Sequence, residues 1–122
     1  MLTTDHVQAF DRDGSCLVPG LFSPDEVAAL IAAAEAGGRP VADMPDAEGR
    51  SSTLSLWTDA GEDPFGAVTR SVRIVTGARM LLRDDVYHWH SKIMRKEPRV
   101  GGAWEWHQDY GYWYHDGCLA PR

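Results

Sequence analysis

The stretch Trp104-Glu105-Trp106-His107-Gln108-Asp109-Tyr110-Gly111-Tyr112-Trp113 sets a histidine and an aspartate two positions apart. In an extended strand, residues i and i+2 share a face. His107 and Asp109 would then aim an imidazole nitrogen and a carboxylate oxygen at one point. These are two of the three donors of a 2-His-1-carboxylate facial triad, which leaves positions open on a non-haem Fe(II) for oxygen chemistry. A lone His-x-Asp also arises by chance, and the aspartate then does no more than orient the ring. Only thirteen residues follow Asp109, up to Arg122, so a third ligand has little room. The expectation is the front part of an oxygenase whose site closes with later sequence.

Strand alternation puts Glu105, His107 and Asp109 on one face, and Trp104, Trp106, Gln108 and Tyr110 on the other, a packing face. In the preceding strand, His88, His90, Lys92 and Met94 alternate with Tyr87, Trp89, Ser91 and Ile93. Two polar faces opposed in this way make a wet, titratable pocket, better suited to a metal and a dicarboxylic cosubstrate than to a core.

These residues sit in a wider pattern. His-Ser-Lys-Ile-Met-Arg-Lys-Glu-Pro (90–98) is followed by Gly101-Gly102, by Trp106-His107-Gln108-Asp109-Tyr110, and then by Trp113 and Asp116-Gly117. This resembles the phytanoyl-CoA dioxygenase family, Fe(II)- and 2-oxoglutarate-dependent oxygenases that include the ectoine hydroxylases. Phe10-x-x-x-Gly14, the turn Val18-Pro19-Gly20-Leu21-Phe22-Ser23, and Leu81-Leu82 through Val86-Tyr87 look like the family's opening segments. The resemblance runs from about Val7 to Arg122 and is most specific in the last thirty-five residues.

The resemblance implies a double-stranded β-helix, or jelly roll, of which this chain holds the N-terminal helices and the first strands. Residues 1–122 would be the N-terminal portion of one dioxygenase domain, α+β in class and incomplete. The resemblance further implies Fe(II), with 2-oxoglutarate as cosubstrate. His107 and Asp109 fall on the first two metal ligands and are the catalytic pair. Lys92 and Lys96 fall beside the cosubstrate, although Lys96 reads equally well as a solvated strand end. Trp113 falls in the substrate pocket. An aspartate at 109 points to hydroxylation, because related halogenases carry a small residue there. The family's distal histidine and cosubstrate-binding arginine have no counterpart in this chain, and His88, His90 and His115 are weaker substitutes. The implied partners are a small organic substrate and molecular oxygen, with substrate and oligomeric state left open. The alternative is a jelly-roll module that binds a ligand without turnover. A divalent-metal hydrolase would need closely spaced ligands such as His-Glu-x-x-His, which are missing.

The elements that must position these groups can be read upstream. Thr3 or Thr4 caps a helix running to about Arg12, and Asp13-Gly14 ends it. Cys16-Leu17-Val18 reads as a short strand before Pro19-Gly20. Ser23-Pro24-Asp25-Glu26 is a capping box with proline at the first helical position. The helix it opens carries Val27, Leu30 and Ile31 as an apolar stripe and ends at Gly37-Gly38. Residues 39–53 read as a long polar loop, and Leu54–Trp57 as a strand. Val68, Val72, Val75, Ala78 and Leu82 recur at helical spacing, giving one helix or two abutting ones over 64–83. Val86 to Lys96 and Ala103 to Tyr110 read as strands. So few strands cannot close a barrel and would leave open edges.

Bulk properties narrow the class. The chain has 122 residues, enough for one modest core, with 43% hydrophobic and 25% charged residues. A net charge of −6 with interspersed signs argues against nucleic-acid binding. No long apolar run marks a membrane span, and no secretory leader is visible. Cys16 and Cys118 fit no zinc spacing and read as reduced thiols of a cytoplasmic protein. Four of five tryptophans lie between Trp89 and Trp113, so large aromatic surfaces gather around the chemistry.

Overall fold

The computed structural model of the protein describes residues 1–117. Five helices and three strands follow in the order α1 (Thr4–Asp13), α2 (Pro24–Ala36), β1 (Ala42–Pro45), β2 (Ser51–Trp57), α3 (Pro64–Thr69), α4 (Val72–Leu82), β3 (Ser91–Arg95) and α5 (Asp109–His115). The strands form one sheet in the order β1-β2-β3, with β1 antiparallel to β2. The class is α+β, as the sequence implies. The chain divides into two units, one of residues 1–40 and 55–93, the other of residues 41–54 and from 94 onward.

The helices of the first unit begin and end where their signals stand. Thr3 precedes α1, and Gly14 closes it in the left-handed region (φ 73°), donating to the Phe10 carbonyl at 2.8 Å. At α2, the Ser23 hydroxyl accepts from Glu26 N–H at 3.3 Å, and the Glu26 carboxylate accepts from Ser23 N–H at 2.7 Å. The capping box is therefore complete. Asp63 and Ser71 cap α3 and α4 with a side-chain oxygen alone, accepting from Gly66 N–H and Ile74 N–H, and resolve the 64–83 region into two helices.

Tertiary contacts reuse these capping groups. The Arg73 guanidinium on α4 pairs with both carboxylate oxygens of Glu26, donates to the Leu21 carbonyl at 2.8 Å, and lies over the Phe22 ring at 4.7 Å. Glu26 is held down to about 2, first by the Arg73 hydrogen bond and then by the Ser23 amide. Arg39 stacks on the Trp57 ring at 3.8 Å while pairing with Asp63, the cap of α3. Leu2 packs on α4 at Gly77, where an added Cβ would sit 3.0 Å from its methyl.

The second unit is built on the β1–β2 hairpin, in register from Ala42↔Leu54 to Pro45↔Ser51. Its five-residue loop begins with Asp46, and Gly49 adopts φ 77° and donates to the Asp46 carbonyl. Aspartate at the first position and glycine at the fourth suit such a turn.

Several expectations change. Residues 39–53 are not a loop: the hairpin occupies most of them. Cys16-Leu17-Val18 forms no strand, and Leu17 is exposed. The strand of 86–96 shrinks to Ser91–Arg95, leaving Lys96 just past its end. Ala103–Tyr110 is not a strand: residues 103–108 have no regular structure and α5 begins at Asp109. On α2, Leu30 is half-buried but Val27 and Ile31 stand exposed. Among the described residues no apolar residue is fully buried, and the one buried polar residue is Ser52, 2% exposed. No described helix is long and apolar enough to cross a membrane. Cys16 is a free thiol, and Cys118 lies outside the described residues.

Candidate metal centre

His107 and Asp109 meet, though not through strand alternation. His107 lies in the irregular segment before α5, and Asp109 is the first residue of that helix. The backbone changes direction between them and brings His107 Nε2 to 3.0 Å from Asp109 Oδ1. The other ring nitrogen, Nδ1, donates to the Glu105 carbonyl at 2.7 Å. A carbonyl can only accept, so Nδ1 carries a proton, and Nε2 is the nitrogen turned toward the carboxylate, able to donate to it when protonated and to ligate a metal when not.

This is the donor arrangement a metal-binding histidine requires, with the distal nitrogen fixed by a backbone acceptor and the proximal one free to ligate. Two cis ligands at roughly 2.1 Å from one ion stand about 3 Å apart. The observed separation matches that span without rearrangement. With a proton instead of a metal at Nε2, the same pair is an imidazolium–carboxylate ion pair. The His107 side chain is 27% exposed and that of Asp109 48%, leaving the open side that exchangeable ligands need.

Aromatic rings flank the imidazole. Trp104 meets the His107 ring edge-on at 5.7 Å, and Tyr112 lies at 6.1 Å on α5. Trp104 therefore packs beside His107, against the expectation that it lies on an opposite face. Trp106 does not pack at all: it is 103% exposed. Trp113 is half-buried on α5, one helical turn from Asp109 and so on its side of the helix.

The remaining candidates belong elsewhere in the chain. Lys92 is an exposed residue of β3 in the first unit, where it borders a cavity of about 350 Å³ with Leu30, Trp57, Phe65, Val68 and Ile93. Lys96 is exposed in the second unit. His88 Nε2 is engaged with the Ser91 hydroxyl at 2.9 Å. His115 ends α5 and stacks edge-on with Tyr114 at 6.0 Å. Among the described residues no three His, Cys, Asp or Glu side chains converge as a metal cage. The third ligand is therefore not found there.

Behind the histidine is a joint that motif reading does not identify. The Asp46 carboxylate accepts from Ala103 N–H at 2.9 Å, from Arg50 N–H at 2.8 Å, from Glu48 N–H at 3.1 Å and from Arg50 Nε at 3.0 Å. The Ala103 amide first, and then the Arg50 amide and guanidinium, hold Asp46 below the usual carboxylate range. Ser52 donates its hydroxyl to the Gly102 carbonyl at 3.2 Å, and Gly102 N–H donates to the Ser51 carbonyl at 3.2 Å. The turn signal Asp46-x-x-Gly49 was available in the sequence. Its long-range partner was not.

Comparison with known proteins now bears on this geometry. The sequence profile of phytanoyl-CoA dioxygenase (PhyH) matches residues 10–122. The chain is 33% identical to an ectoine dioxygenase of Bordetella bronchiseptica, over 99% of this chain and 42% of that protein. An ectoine dioxygenase of Stutzerimonas stutzeri is 30% identical over 99% of this chain and 42% of its own length. An L-proline trans-4-hydroxylase of Streptomyces griseoviridis is 32% identical over 92% of this chain and 43% of its length. The chain thus spans well under half the length of these relatives. No solved structure matches it.

Proposed function

Because this chain belongs to the phytanoyl-CoA dioxygenase family, we propose that it is the N-terminal portion of an Fe(II)- and 2-oxoglutarate-dependent hydroxylase of a small organic substrate. The observation that carries the reading is the His107–Asp109 pair: Nε2 and Oδ1 are 3.0 Å apart, with Nδ1 tied to the Glu105 carbonyl. When bound, iron and 2-oxoglutarate supply the oxidative decarboxylation that activates oxygen for hydroxylation. The protein supplies position and exclusion of water.

His107 and Asp109 are the catalytic metal ligands in this reading. Glu105 fixes the tautomer through its carbonyl. Trp104 and Tyr112 make ring contacts that help fix the orientation of the imidazole. Trp113 lines the substrate side, and Lys92 and Lys96 are the basic groups assigned to the dicarboxylate cosubstrate. The third ligand and the partner of the cosubstrate's far carboxylate come from sequence beyond residue 122, in a jelly roll that this chain begins. The unburied apolar residues of α2, Val27 and Ile31, fit a domain completed by further chain. Ectoine and L-proline, named for the relatives, indicate the size of substrate to try first. A cytoplasmic location goes with this reading.

The test is the full-length gene product beside the 122-residue chain. The full-length protein should bind Fe(II) and form succinate from 2-oxoglutarate, and His107→Ala should abolish both. The 122-residue chain should hold metal loosely and leave 2-oxoglutarate unconsumed. Turnover by the short chain that depends on His107 would sink the idea that the site is completed elsewhere.

A further inference from the structure

We propose that Asp46 is a positioning residue for the metal centre, latching the backbone at Gly102-Ala103 so that His107 and Asp109 converge. This rests on the reading that the pair holds the metal. The reason lies in what the ligand segment lacks. Residues 103–108 form no helix and no strand, so no ladder of backbone bonds fixes the imidazole. One end of the segment is anchored where α5 begins at Asp109. The other end is anchored by the β1–β2 hairpin.

That second anchor is dense. The Asp46 side chain is 0% exposed, its two oxygens shared between the turn and a strand-distant amide. Oδ1 accepts from Glu48 N–H and Arg50 N–H; Oδ2 accepts from Ala103 N–H and Arg50 Nε. One oxygen therefore shapes the turn and the other reaches 57 residues along the chain. Ser52 and Ser51 hold the carbonyl and amide of Gly102 beside it. The fit excludes a side chain at 102, where a Cβ would meet the Arg50 carbonyl oxygen at 2.3 Å. Ala103 is four residues from His107, so freedom at 102–103 passes directly into the ring's position.

An aspartate at a turn is often only a turn residue, and the two roles separate chemically. Asp46→Asn retains one oxygen for the turn amides. Its NH2 group then faces the Ala103 N–H, donor against donor, and the latch opens. Glu48→Gln removes a neighbouring charge that pairs with Arg50 and leaves the latch intact. Ser52→Ala removes one bond of the same joint without altering any charge.

The experiment is run on the full-length gene product, with amide hydrogen exchange across 101–109 and anaerobic Fe(II) titration of each variant. The wild-type Ala103 amide should be protected. Asp46→Asn should lose that protection and bind Fe(II) about 10- to 100-fold more weakly, the loss typical of groups that orient ligands. Ser52→Ala should show a smaller loss of both, and should decide the matter if Asp46→Asn does not fold. Glu48→Gln should show neither. An unprotected Ala103 amide in the wild type overturns the latch. Lost protection with unchanged Fe(II) affinity overturns the positioning role and leaves a turn residue. A wild-type protein that binds no Fe(II) while Ala103 is protected defeats the metal reading itself, and the inference with it.

Discussion

His107 Nδ1 donates to the carbonyl of Glu105, two residues earlier, at 2.7 Å, and this one bond makes Nε2 the nitrogen that faces Asp109. Without it either nitrogen could carry the proton, and the ring could turn about its two side-chain bonds. With it the imidazole is a preset donor 3.0 Å from a carboxylate oxygen. Asp109→Asn in the full-length protein keeps the side chain's shape and removes its charge. Fe(II) retention should fall by at least tenfold, since an amide is a far poorer partner for a divalent ion than a carboxylate. Anaerobic Fe(II) titration checks this, and an unchanged dissociation constant would remove Asp109 from the metal site.

The Glu26–Arg73 pair gives the fold a definite acid sensitivity. Glu26 titrates at about 2 when folded and near 4.5 when free, because Arg73 and the Ser23 amide favour its ionised form. A depressed folded-state value means that the unfolded chain binds the proton more readily. Its stabilisation is complete above about pH 4.5 and is lost as pH falls toward 2. Glu26→Gln should therefore lower the urea midpoint at pH 7 and flatten its pH dependence within that window. A parallel decline in both proteins would assign the acid sensitivity to other carboxylates.

The cap of α2 is a simpler case. Ser23 presents its hydroxyl to Glu26 N–H, and Pro24 presets the first helical turn. Ser23→Ala removes the acceptor but leaves the proline and the acidic first turn in place. The expected cost is about 1 kcal/mol. Chemical denaturation measures it, and an unmoved midpoint would mean that Glu26 and Pro24 alone fix the helix start.

What the sequence discloses here is local chemistry. Ser23-Pro24-Asp25-Glu26 predicts α2 because every part of a capping box lies within four residues. The helical spacing of Val68, Val72, Val75 and Ala78 finds α3 and α4 for the same reason, and Asp63 and Ser71 then set their starts. Of the β1–β2 hairpin only Leu54–Trp57, the apolar end of β2, is read from the sequence; β1 and the start of β2 are missed because they are polar, with Asp43, Ser51 and Ser52 where apolar alternation would be sought. Residue types single out His107 and Asp109 as candidates, but the supposed strand gives the wrong cause for their meeting. Their convergence depends on the start of α5 and on the Glu105 carbonyl, and a backbone acceptor leaves no mark in a side-chain pattern. The Asp46–Ala103 bond joins positions 57 apart, a distance over which no periodicity operates.

Two glycines of the second unit make opposite predictions from the same substitution. Gly102 is fully buried, and a Cβ there would lie 2.3 Å from the Arg50 carbonyl oxygen and 3.4 Å from Asp46 Cγ. The obstacle is backbone, so no side-chain rotation relieves it, and the hairpin loop must separate from the ligand segment. Gly102→Ala should cost about 1–3 kcal/mol, as overpacking does. Gly111 lies inside α5 with nothing within 4 Å of the added atom. Gly111→Ala should instead stabilise the helix by about 0.5–1 kcal/mol, because alanine loses less backbone freedom on folding. Denaturation of both variants in one background separates close approach from helix propensity. Equal shifts of the same sign would show that the hairpin does not press on Gly102, and the latch at Ala103 would lose its footing.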